Sequence, residues 1–199
     1  MRFEKGHKEQ TRQRIVETAS RKFREDGVAA TGIAGLMAEA GLTHGGFYAH
    51  FASKEALVRA ALDDALAQGE ARRAKLIERA GAEMAPIEAL IRAYLRPAHR
   101  DAPAQGCAVA GLAAEIARHD LKTRAVFTVR LARLLAQMQA NLPPGMDEAA
   151  RERLAIGLFG TLLGCLQMAR AVADPARSDL ILQSGIEAGL ALVTRLPRA

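Results

Sequence analysis

Thr43, His44, Tyr48 and His50 fall within one short run, interrupted by Gly45, Gly46, Phe47 and Ala49 and followed closely by Lys54. Hydroxyls, imidazoles and an ammonium at that spacing suit hydrogen bonds to phosphate oxygens and base edges. Gly45 and Gly46 have no side chain to hold the backbone away from a surface. Groups arranged for bond-making chemistry are missing. The chain has no Gly-x-Gly-x-x-Gly, no phosphate-binding loop, no His-Glu-x-x-His and no paired Cys-x-x-Cys. His7, His44, His50, His99 and His119 form no i,i+4 pair, and none of the four serines sits in a nucleophile-elbow setting. Glu115 and His119 could share a helix face, which is ordinarily a solvated pair. An enzyme, a metal site and a cofactor are therefore not expected.

The elements that must carry these residues read as helices throughout. Apolar residues recur at helical spacing in Ile15, Ala19 and Phe23, in Ile33, Leu36, Met37 and Ala40, and in Ile87, Leu90, Ile91, Tyr94 and Leu95. The pattern continues through Phe127, Leu131, Leu134, Leu135 and Met138, and again through Leu182, Ile186, Leu190 and Val193. No strand alternation appears, so the predicted fold is all-α with about nine helices.

Breakers and caps set the expected boundaries. The first helix runs from about Lys8 to Asp26 and stops at Gly27. Thr31 and Thr43 are expected N-caps of two short helices separated by Gly41, and Ser53 of a longer fourth helix. Pro86 fits the first turn of the fifth helix and Pro97 its end. A loop over 98–106 precedes the sixth helix, Pro143-Pro144-Gly145 separates the seventh from the eighth, and Asp174-Pro175 opens the last.

Within 31–51, Ile33, Leu36, Met37 and Ala40 form one face and Gly41 supplies the turn. Leu42 fills the angle between helices, and Phe47 with Phe51 returns the second helix to the same core. Thr43, His44, Tyr48 and His50 are left outside, on an edge narrow enough for a major groove about 12 Å wide.

Charge supports a polyanionic partner. The 199 residues carry 28 Lys and Arg against 22 Asp and Glu, a net charge of +6. The first 24 residues hold eight of the cations (Arg2, Lys5, Lys8, Arg12, Arg14, Arg21, Lys22, Arg24) against Glu4, Glu9 and Glu17, so most of the surplus lies there. A basic leading helix raises the local potential for nucleic acid, although the same pattern also describes a solvated face. Half the residues are apolar, which excludes a disordered chain. Two cysteines and a polar start without an apolar h-region predict a reduced, cytoplasmic protein. Residues 154–169 carry no charge, but they are short for a bilayer and contain Gly157, Gly160, Gly164, Thr161 and Gln167 between Arg151, Arg153 and Arg170. A buried soluble helix is expected there, and no membrane.

The order Gly41-Leu42-Thr43-His44-Gly45-Gly46-Phe47-Tyr48-Ala49-His50-Phe51-Ala52-Ser53-Lys54-Glu55, with Thr11-Arg12-Gln13-Arg14-Ile15-Val16 and Phe23, Gly27, Ala30 and Thr31 before it, resembles the TetR/AcrR family of bacterial transcription regulators. The resemblance covers about 11–62, beyond which only the helix layout matches. It implies a helix-turn-helix DNA-binding domain over 1–52 and a ligand-binding and dimerisation domain over 53–199, joined by the fourth helix. It further implies that Thr31, Thr43, Tyr48 and Lys54 meet phosphates and that His44, Gly45 and Gly46 lie near bases. His50 reads equally as a DNA contact or a helix-end cap. Ala34, Gly35 and Gly46 depart from the family's more polar choices, so base readout should be sparse.

The segment from 63 onward has only Tyr94, Phe127 and Phe159 as aromatics, which suits a small or aliphatic effector, or a reactive one. Cys107 precedes the sixth helix and is similar to the thiol of electrophile-sensing family members, while a small buried cysteine would look the same. Tyr94, Cys107 and Phe127 are therefore the candidate ligand or sensor residues. The glycines and leucines of the eighth and ninth helices, about 147–196, predict a homodimer that places two recognition helices on double-stranded DNA. The predicted function is a homodimeric repressor released from a pseudo-palindromic operator by a small molecule or electrophile. A helical interaction module without DNA binding is the alternative, and an all-α enzyme a more distant one.

Overall fold

A computed structural model describes residues 5–80 and 84–194. Arg2 and Glu4 of the basic arm, the side chain of Lys5, and the last residues of the predicted ninth helix lie outside the described residues. Among those described there are nine α-helices and no strand: α1 Lys5–Asp26, α2 Ile33–Glu39, α3 Lys54–Arg79, α4 Pro86–Tyr94, α5 Pro97–Arg100, α6 Ala108–Ile116, α7 Leu121–Gln139, α8 Glu148–Ala171 and α9 Pro175–Thr194. Two 3-10 segments, His44–Ala49 and Pro103–Gln105, complete the list. The all-α expectation holds, with two local corrections. The segment after Thr43 is a 3-10 helix, and Pro97 opens the short α5, α4 having already ended at Tyr94.

The chain forms two compact units, each drawn from two stretches of sequence. One comprises Met1–Gln68 and Pro103–Arg130, the other Gly69–Ala102 and Leu131–Ala199. In the first, Ile15, Val16, Ala19 and Phe23 of α1 are buried, as are Leu36 and Met37 of α2 and Leu57, Val58, Ala61 and Leu62 of α3. Phe47 is 0% exposed and stacks on Phe51 at 5.8 Å between ring centroids. Truncating such a side chain to alanine costs about 3–5 kcal/mol. α6 lies close against α1, because a Cβ at Gly111 would come within 3.3 Å of the Arg24 carbonyl oxygen.

In the second unit α8 and α9 pair along their length. Leu158, Phe159, Leu162 and Leu166 of α8 are buried, with Leu182 and Val193 of α9 and Ile87, Leu90 and Ile91 of α4. Gly185 and Gly189 were candidates for a surface that meets a second chain, and both are instead buried inside this one. A Cβ at Gly185 would meet Leu95 Cδ1 at 2.7 Å and Cys165 Sγ at 2.8 Å, and one at Gly189 would meet Ile91 Cγ2 at 3.2 Å. Gly157, Gly160 and Gly164 of α8 face open space. α8 is long and apolar enough to cross a membrane by length and composition, yet one of its faces is spent on this packing.

Caps follow the sequence in most places. Gly27 takes φ +86° and donates its amide to the Phe23 carbonyl, ending α1, and Gly41 turns the chain at φ +70°. Ser53 Oγ accepts from the Ala56 amide, and Asp147 Oδ1 from the Ala150 amide at 2.7 Å. Thr31 does not cap, since Gly32 holds the N-cap position of α2, whereas Thr43 does occupy the N-cap position of the 3-10 segment, extended at φ −80° and without a side-chain cap bond.

Candidate nucleic-acid interface

Packing decides which side of the 3-10 segment His44–Ala49 faces out. Phe47 is fully buried, whereas Thr43, His44, Gly45, Tyr48 and Ala49 are exposed and Gly46 is half-buried. Tyr48 is 63% exposed, and its ring meets Phe47 edge-on at 5.2 Å and His44 at 6.4 Å. The two aromatic contacts orient the ring without covering its hydroxyl. A wet phenol and a bare Gly45-Gly46 backbone thus share one exposed edge.

His50 is half-buried where the segment ends. Its amide donates to the Phe47 carbonyl at 2.9 Å, so the backbone, and not the ring, serves as the cap. Its Nδ1 is buried without a hydrogen-bond partner. Partial burial, with Lys8 and Arg12 nearby, pushes the imidazole below the ordinary histidine range, and Glu9 offsets this only in part. The site thus favours the neutral imidazole. Arg12 lies 4.8 Å above the Phe51 ring and pairs with Glu9 at 3.9 Å, which fixes a guanidinium of α1 beside the same edge.

Two expected phosphate contacts sit differently. Thr31 is 6% exposed and its hydroxyl donates to the Gly27 carbonyl at 2.7 Å. That geometry ties the end of α1 to the start of α2 and does not present a surface hydroxyl. Lys54 is half-buried, with Nζ donating to the Val28 carbonyl at 2.8 Å. One ammonium hydrogen is thereby committed, and two remain for other acceptors.

Beside this turn lies a cavity of about 340 Å³ lined by Val28, Ala29, Lys54, Glu55, Val58, Glu115, Arg118 and His119. Glu115 and His119 do not pair with each other. The Glu115 carboxylate accepts from the amides of Val28 and Ala29, at 2.7 and 3.2 Å. His119 Nδ1 donates to Glu55 Oε1 at 3.0 Å, and Thr123 Oγ1 donates to the same oxygen at 2.5 Å. Helical spacing placed the first two residues on one face, but their partners are 64 to 87 positions away and carry no local signal.

The candidate effector residues do not all belong to one compact unit. Tyr94 belongs to the second unit, where its ring meets His99 at 4.8 Å and Phe159 at 5.9 Å. Cys107 and the half-buried Phe127 belong to the first. Cys107 is half-buried at the N-cap position of α6, and neither it nor Cys165 is in a disulfide. Burial raises the Cys165 thiol above the ordinary range, as suits a packing role.

Comparison with known proteins bears on this geometry. Residues 15–61 match the family model described as bacterial regulatory proteins, tetR family. The HTH-type transcriptional regulator TtgR of Pseudomonas putida is 43% identical over 63 residues, 32% of this chain and 30% of TtgR. The uncharacterized HTH-type regulator YerO of Bacillus subtilis is 44% identical over 52 residues, 26% of this chain and 18% of YerO. The matched stretch thus spans less than a third of these relatives. Folds agree over more: reduced E. coli NemR superposes with a TM-score of 0.76 at 22% identity, covering 92% of this chain and 97% of NemR. A TetR transcriptional regulator from Chloroflexus aurantiacus gives a TM-score of 0.70 at 26% identity, over 95% of this chain and 96% of that one.

Proposed function

We propose that this chain, which carries the TetR-family helix-turn-helix over residues 15–61, is a DNA-binding transcriptional regulator acting in the cytoplasm. The observation that carries the reading is the 3-10 segment His44–Ala49, where Phe47 is fully buried and Tyr48 is 63% exposed. In this reading Thr43, Tyr48 and Lys54 meet phosphates, His50 adds a contact beside Lys8 and Arg12, and His44, Gly45 and Gly46 approach base edges. Thr31 acts from below, holding the turn. Functionally, 1–52 contacts DNA, while 53–199 binds effector and pairs with a second copy.

A homodimer through 147–196 supplies the second half-site reader. Its support is the outward face of α8 and α9. Ile156, Met168 and Leu180 are each more than half exposed and Leu192 is 38% exposed, beside the open Gly157, Gly160 and Gly164. A second chain covering that face accounts for the apolar length of α8 without lipid. Recognition segments one duplex turn apart, about 34 Å, then read a pseudo-palindrome.

The effector is a small molecule or an electrophile, with Tyr94, Cys107 and Phe127 as the residues to test, and its binding releases DNA. Selecting bound duplexes from a random pool tests the DNA reading directly. Recovery of a palindromic site supports it, and failure to bind any duplex at about 50 mM salt leaves a helical interaction module. Treatment with an electrophile, comparing wild type with Cys107→Ser, tests the sensor; equal loss of DNA binding in both removes Cys107 from the mechanism.

A further inference from the structure

The turn between α1 and α2 is held from several directions. Glu115, in the last turn of α6, accepts from the amides of Val28 and Ala29 at 2.7 and 3.2 Å. Lys54, at the start of α3, donates to the Val28 carbonyl at 2.8 Å, and Thr31 donates to the Gly27 carbonyl at 2.7 Å. Gly27 makes room for the clamp: a Cβ there would stand 3.2 Å from both Glu115 carboxylate oxygens, and its φ of +86° disfavours any other residue. Val28 is 4% exposed, so its amide has little water to turn to if the carboxylate leaves.

We infer that Glu115 is a positioning residue for DNA recognition: its carboxylate sets the α1–α2 turn that aims α2 and the 3-10 segment His44–Ala49. The inference rests on the DNA-binding reading above. Glu115 acts on this turn from the last turn of α6, which Gly111 lets close against the α1 backbone. Removing the carboxylate takes the acceptors from both amides at once.

Charge alone predicts the opposite sign. A carboxylate near a surface that meets phosphates repels them, so neutralising Glu115 should tighten DNA binding if the residue does nothing but carry charge. If it positions the turn, removing the acceptor weakens binding. Glu115→Gln keeps one carbonyl oxygen and one of the two amide bonds, whereas Glu115→Ala keeps neither.

The test uses the full-length chain, duplexes selected by the wild type from a random pool, and a mixed-sequence duplex of equal length. Glu115→Ala should lose about tenfold in affinity for the selected duplex, Glu115→Gln should fall between it and wild type, and amide exchange at Val28 and Ala29 should quicken in Glu115→Ala. Binding as tight as wild type or tighter in either variant overturns the inference. Should Glu115→Ala lose its helical content, Glu115→Gln decides, and loss of helicity in both assigns Glu115 to general stability instead. Wild type that binds neither duplex condemns the DNA reading, which is a different result from variants that match a binding-competent wild type.

Discussion

Lys54 Nζ lies 2.8 Å from the carbonyl oxygen of Val28, so the first charge of α3 is fastened to the turn that precedes α2. The ammonium has one bond inside the protein and two hydrogens left for a phosphate. Both roles are measurable. Lys54→Met should weaken binding to all duplexes by a similar factor and lower the slope of log affinity against log salt by about 0.9. The melting temperature should also fall by about 2–4 °C per kcal/mol lost at the Val28 carbonyl. An unchanged salt slope with a lowered melting temperature would leave Lys54 with the internal role alone.

The inner and outer glycines of α8 and α9 should respond oppositely to added side chains. Gly185→Ala drives a methyl into Leu95 and Cys165 at 2.7–2.8 Å, and should cost about 1–3 kcal/mol of stability. A Cβ at Gly160 meets nothing within 4 Å among the described residues, so Gly160→Leu should leave monomer folding intact while shifting sedimentation toward the monomer. A Gly160→Leu chain that still sediments as a dimer would move the pairing surface elsewhere.

His99 makes the second unit sensitive to acid. Burial holds its imidazole below the ordinary histidine range, Arg170, Arg96 and Arg72 add to the effect, and the Nδ1 bond to the Tyr94 carbonyl at 2.6 Å opposes it. The folded state therefore binds fewer protons than the unfolded one just below the unperturbed value of about 6.5. Stability is fully present above that value and is lost as pH falls toward the folded-state value. Melting at about pH 7.5 and about pH 5.5 should show a larger acid loss for wild type than for His99→Gln.

His50 should couple DNA binding to pH. Partial burial and the Lys8 and Arg12 charges disfavour its imidazolium in the unbound protein, and a phosphate beside it would favour that form. Binding then takes up a proton, and affinity should rise as pH falls from about 7.5 toward about 6. His50→Gln should flatten that dependence. A wild-type affinity that does not change with pH would show that His50 stays neutral against DNA.

Much of this arrangement is written in local sequence. Gly27, Gly41, Ser53 and Pro86 mark helix ends because their chemistry acts within four residues, and each does so here. Phe47 and Phe51 carry a helical spacing that is visible without coordinates, and their burial fixes which face of the 3-10 segment is wet. Thr31 misleads because a threonine hydroxyl can cap the next helix or bond back to the carbonyl four residues earlier, and spacing does not choose between them. Gly185 and Gly157 look alike in sequence for a similar reason. Each is a glycine in an apolar helix, and only the neighbouring helix decides which one is covered. Glu115 is the hardest to read, since its partners Val28 and Ala29 offer backbone amides that any residue type would supply.

The close seam between α8 and α9 is made with glycines inside one chain. In the homodimer proposed above, each copy would bring an already packed α8–α9 pair to its mate. Pairing in that proposed dimer would rest on outer side chains such as Ile156 and Met168, which drift can alter without disturbing the interior. Duplicated copies of such a gene could part company through a handful of substitutions on that one stripe, and their products would cease to mix while each still folds.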